Sequence, residues 1–175
     1  MSPVKKKVVM IVASSNFRDE EYSEPRKILE HAGCEIKVAS SSLNVSKGYF
    51  IGTEVKPEIL IDDLKAEEFD AIIFVGGSGA SEYFNSLSAH KVAVDAVEKE
   101  KVLAAICSAP SILANAGILH GKKATSFSGE KSNLVKKGVI FTETDVEVDG
   151  KIITAEGPNA AKKFGETILK LLRES

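Results

Sequence analysis

Cys107 stands between an apolar run, Val102 to Ile106, and a stretch of helical character, Ser111 to Ala116. Pro110 falls near the first turn of that helix, where a missing amide donor costs nothing. A sulfur on a strand-to-helix turn is presented clear of a sheet, and a helix N-terminus favours its anion. The chemistry implied is nucleophilic. A thiol of pKa ~8.5 is only about 3% thiolate at pH 7, whereas one of pKa ~5.5 is about 97%. The same position also suits a buried cysteine that merely fills a core. Cys34 follows a glycine and starts a strand, and it reads as core.

Two other segments carry residues of the right type. The apolar run Asp70 to Val75 ends in Gly76-Gly77. Paired glycines let the chain approach a ligand closely, and their amides with that of Ser108 suit an oxyanion hole; taken alone, the pair reads first as a tight turn. The first apolar run, Lys7 to Ala13, is followed by Asp19-Glu20-Glu21. This triplet suits a charged first helical turn and also offers a carboxyl for acid–base work. There is no dinucleotide fingerprint, P-loop lysine or metal-ligand spacing, so neither a cofactor nor a metal is expected.

The elements that must hold these residues alternate along the chain. Apolar strands are expected at 7–13, 35–39, 70–75 and 102–106, and helices at 19–32 (closed by Gly33), 89–99, 111–116 and 160–172. Residues 46–62 read as short strands between turns at Gly48 and Gly52, and 123–127 and 139–142 as strands around a short helix at 130–137. Val146 to Ile153 reads as a hairpin turning at Asp149-Gly150. Continuously apolar strands imply a sheet covered on both faces, and strands alternating with helices imply parallel crossovers. The expected fold is α/β: a flavodoxin-like, doubly wound, mostly parallel sheet sandwiched by helices, with a nucleophile elbow at Cys107. In such sheets, ligands bind beyond the carboxyl ends of the strands, where all three segments fall.

Composition bounds the rest. The 175 residues fit a single domain spanning 1–175, with 43% hydrophobic and 27% charged residues. A net charge of −2 argues against a nucleic-acid partner, and no apolar run reaches the ~18 residues that cross a membrane. The N-terminal run is too short for a signal sequence followed by a strand, and two cysteines make no disulfide framework. A cytoplasmic protein is expected.

Taken together, these segments resemble the ThiJ/PfpI superfamily, which includes the parkinsonism-associated protein deglycase and the PfpI-type intracellular proteases. The resemblance rests on Phe17-x-Asp19-x-Glu21-x-x-x-Pro25, Phe69-Asp70-Ala71 with Gly76-Gly77, and Ala105-Ile106-Cys107-Ser108-Ala109-Pro110. It continues through Gly117 to Lys123 and Val148-Asp149-Gly150-Lys151 to Glu156-Gly157-Pro158. It implies that Cys107 is the reactive group, that a protonated Glu21 sits beside it, and that Gly77 and Ser108 supply the oxyanion-hole amides. A buried carboxyl beside an anion stays neutral and donates a hydrogen bond, so the implication is physically consistent.

The departures are as informative. PfpI-type proteases have histidine after the cysteine, where this chain has Ser108. The deglycase branch often has histidine at the position of Phe127 and arginine at that of Glu156. His31, His90 and His120 read as surface or capping residues, so no cysteine–histidine–acid triad is expected. A preformed thiolate needs no base to attack an aldehyde. The expected function is therefore a cofactor-independent glyoxalase- or deglycase-type enzyme acting on small reactive carbonyls, with Cys107 as nucleophile and Glu21 as acid and base. The alternatives are a redox sensor or chaperone-like protein using Cys107 oxidation, and, below it, a peptidase. The resemblance also implies a homodimer, with residues 46–62 and the helix bearing His31 as interface pieces.

Overall fold

The computed structural model describes residues 2–175. In chain order the elements are β1 (Lys7–Ile11), α1 (Asp19–His31), β2 (Glu35–Ser40), β3 (Ser46–Lys47), β4 (Glu54–Val55), β5 (Ile59–Leu60), β6 (Ala71–Phe74) and α2 (Leu87–Glu98). They continue with β7 (Val102–Ile106), α3 (Pro110–Asn115), β8 (Lys123–Ala124), α4 (Lys131–Lys136), β9 (Ile140–Phe141), β10 (Val146–Asp149), β11 (Ile152–Ala155) and α5 (Ala161–Glu174).

Seven strands form the main sheet in the order β10-β11-β7-β6-β1-β2-β5. Every pairing is parallel except β10 with β11. The apolar character of the central strands is the cause. Successive side chains point to opposite faces, and beyond the exposed Lys7 those of β1 are buried: Val8 and Met10 join the layer containing Leu29, Phe164 and Ile168, while Val9 and Ile11 join the layer containing Val92, Ala93 and Ile112. Helices α1 and α5 thus cover one face and α2 and α3 the other. Gly165 lets α5 lie against Pro25 of α1, since a Cβ there would stand 2.8 Å from the proline Cα.

Strand order reverses between β1 and β6. From β1 the chain winds outward to β2 and β5, and from β6 it winds the other way to β7 and β11. The carboxyl ends flanking this switch point form the crevice in which open α/β sheets place ligands.

Two local readings are corrected. The strands expected at 123–127 and 139–142 are only two residues long and pair in parallel with each other, outside the main sheet. Beyond Ala124 the chain turns inward, where the Thr125 amide donates to Thr154 Oγ1 at 2.9 Å. The hairpin at 146–155 pairs Asp149 with Ile152, so its turn is Gly150-Lys151, with Gly150 at φ +62°.

Candidate active site

Cys107 follows β7 and precedes α3 in the left-handed region, at φ +65°. A non-glycine residue pays strain to sit there. Two backbone bonds hold it: its amide donates to Ala155 O at 2.9 Å, and its carbonyl accepts the Phe127 amide at 2.8 Å. The sulfur is partly exposed and faces the backbone amides of Ser108 and Gly77. Ser108 also ties its turn to the neighbouring loop, its Oγ donating to Gly77 O at 2.9 Å.

Gly76 and Gly77 are small for a geometric reason. A Cβ at Gly76 would stand 2.5 Å from Glu21 Oε1 and 2.8 Å from Cys107 Cβ. Gly77 sits at φ +108°, with Arg18 N 2.5 Å from where its Cβ would be. The two glycines are what allow the first helix, the β6 loop and the cysteine turn to meet.

Glu21 comes from the first turn of α1. It is fully buried, and neither carboxylate oxygen has an N–H or O–H partner among the described residues, although the carboxyl lies against the Cys107 thiol. Burial pushes the carboxyl up to about 8, opposed by Cys107 and the Arg18 charge. The Cys107 thiol is pushed up to about 12, first by burial and then by the Glu21 charge and hydrogen bond, against the Ser108 and Gly77 amides.

The two groups are coupled, and a second negative charge is strongly opposed. The pair therefore carries at most one anion, and burial resists even that one. Two amides face the sulfur and none faces Glu21, so that anion is best placed on sulfur with the proton on Glu21. The help expected from the helix N-terminus is opposed: α3 has only six residues, and burial works against the anion.

The structure thus brings all four sequence-selected residues, Cys107, Glu21, Gly77 and Ser108, to one point. It does not bring the histidines there. His90 Nε2 lies 2.8 Å from Phe84 O, and His120 packs by Gly138. His31 ends α1 and lines a groove of about 1000 Å³ between α1 and α5 with Ile28 and Leu169.

Sequence reasoning missed Asp19. It too is fully buried, and it accepts the amides of Phe50 at 2.9 Å, Ile51 at 3.1 Å and Thr53 at 2.8 Å. Beside it, Arg18 Nε pairs with Glu20 at 2.6 Å, and its guanidinium lies 4.5 Å from the Phe50 ring centre. The partners of Asp19 lie some thirty residues away in a glycine-flanked loop, and no spacing within the acidic run could point to them.

Comparison with known proteins agrees with this architecture. The DJ-1/PfpI family profile matches residues 6–171. A protein of Methanocaldococcus jannaschii is 37% identical over 172 residues, covering 97% of this chain and 83% of its own length. A protein of Pyrococcus horikoshii named a deglycase is 30% identical over 165 residues, covering 94% and 99%. The crystal structure of a ThiJ/PfpI domain protein from Brachyspira murdochii superposes with a TM-score of 0.94 at 30% identity, covering 100% of this chain and 99% of that one. The chain belongs to the DJ-1/PfpI family.

Proposed function

We propose that this member of the DJ-1/PfpI family is a cysteine-dependent, cofactor-independent enzyme of the glyoxalase or deglycase type, acting on small 2-oxoaldehydes. The observation that carries the reading is the unsatisfied, buried carboxyl of Glu21 set against Cys107, itself held on left-handed backbone. A buried carboxyl without donors is costly unless it keeps its proton, and a pair with separated roles is what acid–base chemistry uses.

The steps follow from these positions. The Cys107 thiolate attacks the aldehyde carbon, a C–S bond forms, and the carbonyl π pair moves to oxygen. The Gly77 and Ser108 amides, which face the sulfur, are the donors we assign to the developing oxyanion. Glu21 gives its proton to that oxygen, making a hemithioacetal, and its carboxylate then takes the proton from the same carbon. The resulting enediolate takes that proton back from Glu21 at the neighbouring carbon, and its hydroxyl proton passes to the neighbouring oxygen, giving a 2-hydroxy thioester. Water cleaves the C–S bond, releasing the 2-hydroxy acid and the thiol. The sum is aldehyde plus water to hydroxy acid, with no external oxidant or reductant.

The peptidase reading is less favoured, because Ser108 stands where PfpI-type proteases have histidine. A homodimer remains part of the proposal, on the family resemblance. The test is methylglyoxal consumption with lactate formation by wild type, Cys107→Ala and Glu21→Gln. Turnover lost in both variants supports the pair as assigned. A folded wild type without turnover overturns the carbonyl reading and moves the assignment to Cys107 oxidation, read as stepwise mass gain in dilute peroxide.

A further inference from the structure

We infer that Asp19 is a positioning residue: its buried carboxylate, wrapped by the loop 48–53, fixes the first turn of α1 and so sets Glu21 against Cys107. The inference deepens the reading above and rests on Cys107 and Glu21 being the working pair.

The argument starts from what Glu21 lacks. No N–H or O–H among the described residues holds its oxygens, so packing and the backbone of its own turn decide where the carboxyl points. Pro25 loosens that backbone, because a proline cannot donate the i+4 bond to the Glu21 carbonyl. The opposite end of the turn is fastened instead. Asp19 Oδ2 accepts the Phe50 and Ile51 amides and Oδ1 accepts Thr53, a nest of backbone donors around one anion. Gly48 has no side chain because a Cβ there would strike the Asp19 carboxylate.

The loop is closed by Gly48 N to Thr53 O at 2.9 Å, and it is joined to the strand leading into α1 by Tyr49 N to Phe17 O at 3.1 Å. From the other side, Arg18 N donates to Gly76 O at 2.9 Å. Residues 17–19 are therefore gripped between the loop and the glycines that face the sulfur. The charged groups around this turn are Arg18 and Glu20, paired at 2.6 Å, and Lys47 and Glu54, paired at 3.2 Å across the loop's two strands. Each pair is neutral as a unit, which leaves the Asp19 nest as the fixed element.

The test reads the thiol directly. The rate of Cys107 alkylation by iodoacetamide is followed against pH by peptide mass for wild type, Asp19→Asn, Gly48→Ala, Glu21→Gln and Asp19→Asn/Glu21→Gln. Asp19→Asn keeps volume but turns a donor toward donors, while Gly48→Ala breaks the same contact from the loop side. Each is expected to raise the alkylation midpoint by about one pH unit, a tenfold slowing below it. Adding Asp19→Asn to Glu21→Gln is expected to shift nothing further, since the effect travels through Glu21.

Folded clamp variants with the wild-type midpoint overturn the inference, as does an undiminished shift in the Glu21→Gln background. Failure of both clamp variants to fold also counts against it, because a device confined to one turn leaves the two core layers intact. A chain that shows the shift but never consumes methylglyoxal retains the positioning role and loses the carbonyl reading.

Discussion

Asp19 and Glu21 are two residues apart in one helical turn, both are carboxyls, and both are fully buried. They nonetheless end in opposite states. For Asp19, burial works to raise the pKa, yet the hydrogen bonds of Thr53, Ile51 and Phe50 outweigh it and hold the carboxyl at about 2. For Glu21, burial acts without any such donor and the carboxyl rises to about 8. Glu21 also lies deeper in the protein than Asp19, so depth of burial and the amides aimed at each carboxyl together decide its charge. On the loop-facing side of α1 the protein has built an anion that organises backbone, and on the cysteine-facing side it has left a neutral acid available for transfer.

The sharpest way to break this comparison is to make the same change, acid to amide, at both places. Glu21→Gln is expected to lower methylglyoxal turnover at least 100-fold, the scale of lost general acid–base catalysis, while leaving the fold intact. Asp19→Asn is expected to destabilise by about 2–4 kcal/mol in urea unfolding, because one amide donor is left facing another inside the protein. Equal effects of the two changes on both readouts would erase the distinction between a working acid and a structural one.

The pH dependence of stability sharpens it further. Glu21 has a folded pKa above its ordinary 4.5, so its contribution is fully present below 4.5 and is lost as pH rises toward 8. This ionisation belongs to the coupled Glu21–Cys107 pair, and Glu21→Gln is expected to flatten the slope and to unfold later than wild type at pH 8. Asp19 behaves in the opposite sense. Its folded pKa lies below 3.8, so its contribution of about 2 kcal/mol is present above that pH and disappears as pH falls through 2. Thermal unfolding of wild type and both variants between pH 2 and pH 9 separates the two limbs.

The contrast between these residues also explains what could be read from the sequence. The strand–Cys107–helix order, the glycine pair after the third apolar strand and the acidic triplet after the first all lie at strand ends, and continuous apolar runs sufficed to place those ends together. Glu20 fits the reading of a charged first turn, since it is partly exposed and paired with Arg18. Asp19 does not, because its ligands are backbone amides of a loop whose side chains say nothing of their amides. The short strands at 123–124 and 140–141 were legible as apolar runs, but whether they joined the main sheet depended on Thr125 meeting Thr154. The state of the thiol was the least legible feature, because burial and the neighbouring acid outweigh the short helix that follows it.

The smallest expected effect tests whether backbone donors also dominate at the cysteine itself. Ser108 offers two groups: an amide that faces the sulfur and a hydroxyl that donates to Gly77 O at 2.9 Å. Ser108→Ala removes only the hydroxyl. The change is expected to cost about 1 kcal/mol of stability, the net worth of one such bond, and to alter turnover less than threefold, because the amide stays and Gly77 remains fixed by its own backbone. A tenfold or greater fall in kcat at unchanged KM would mean that the hydroxyl turns from Gly77 to the reacting oxygen. The cysteine side of the molecule would then rely on a mobile side-chain donor, whereas the Asp19 side relies on fixed amides, and the two anion sites would differ in kind as well as in charge.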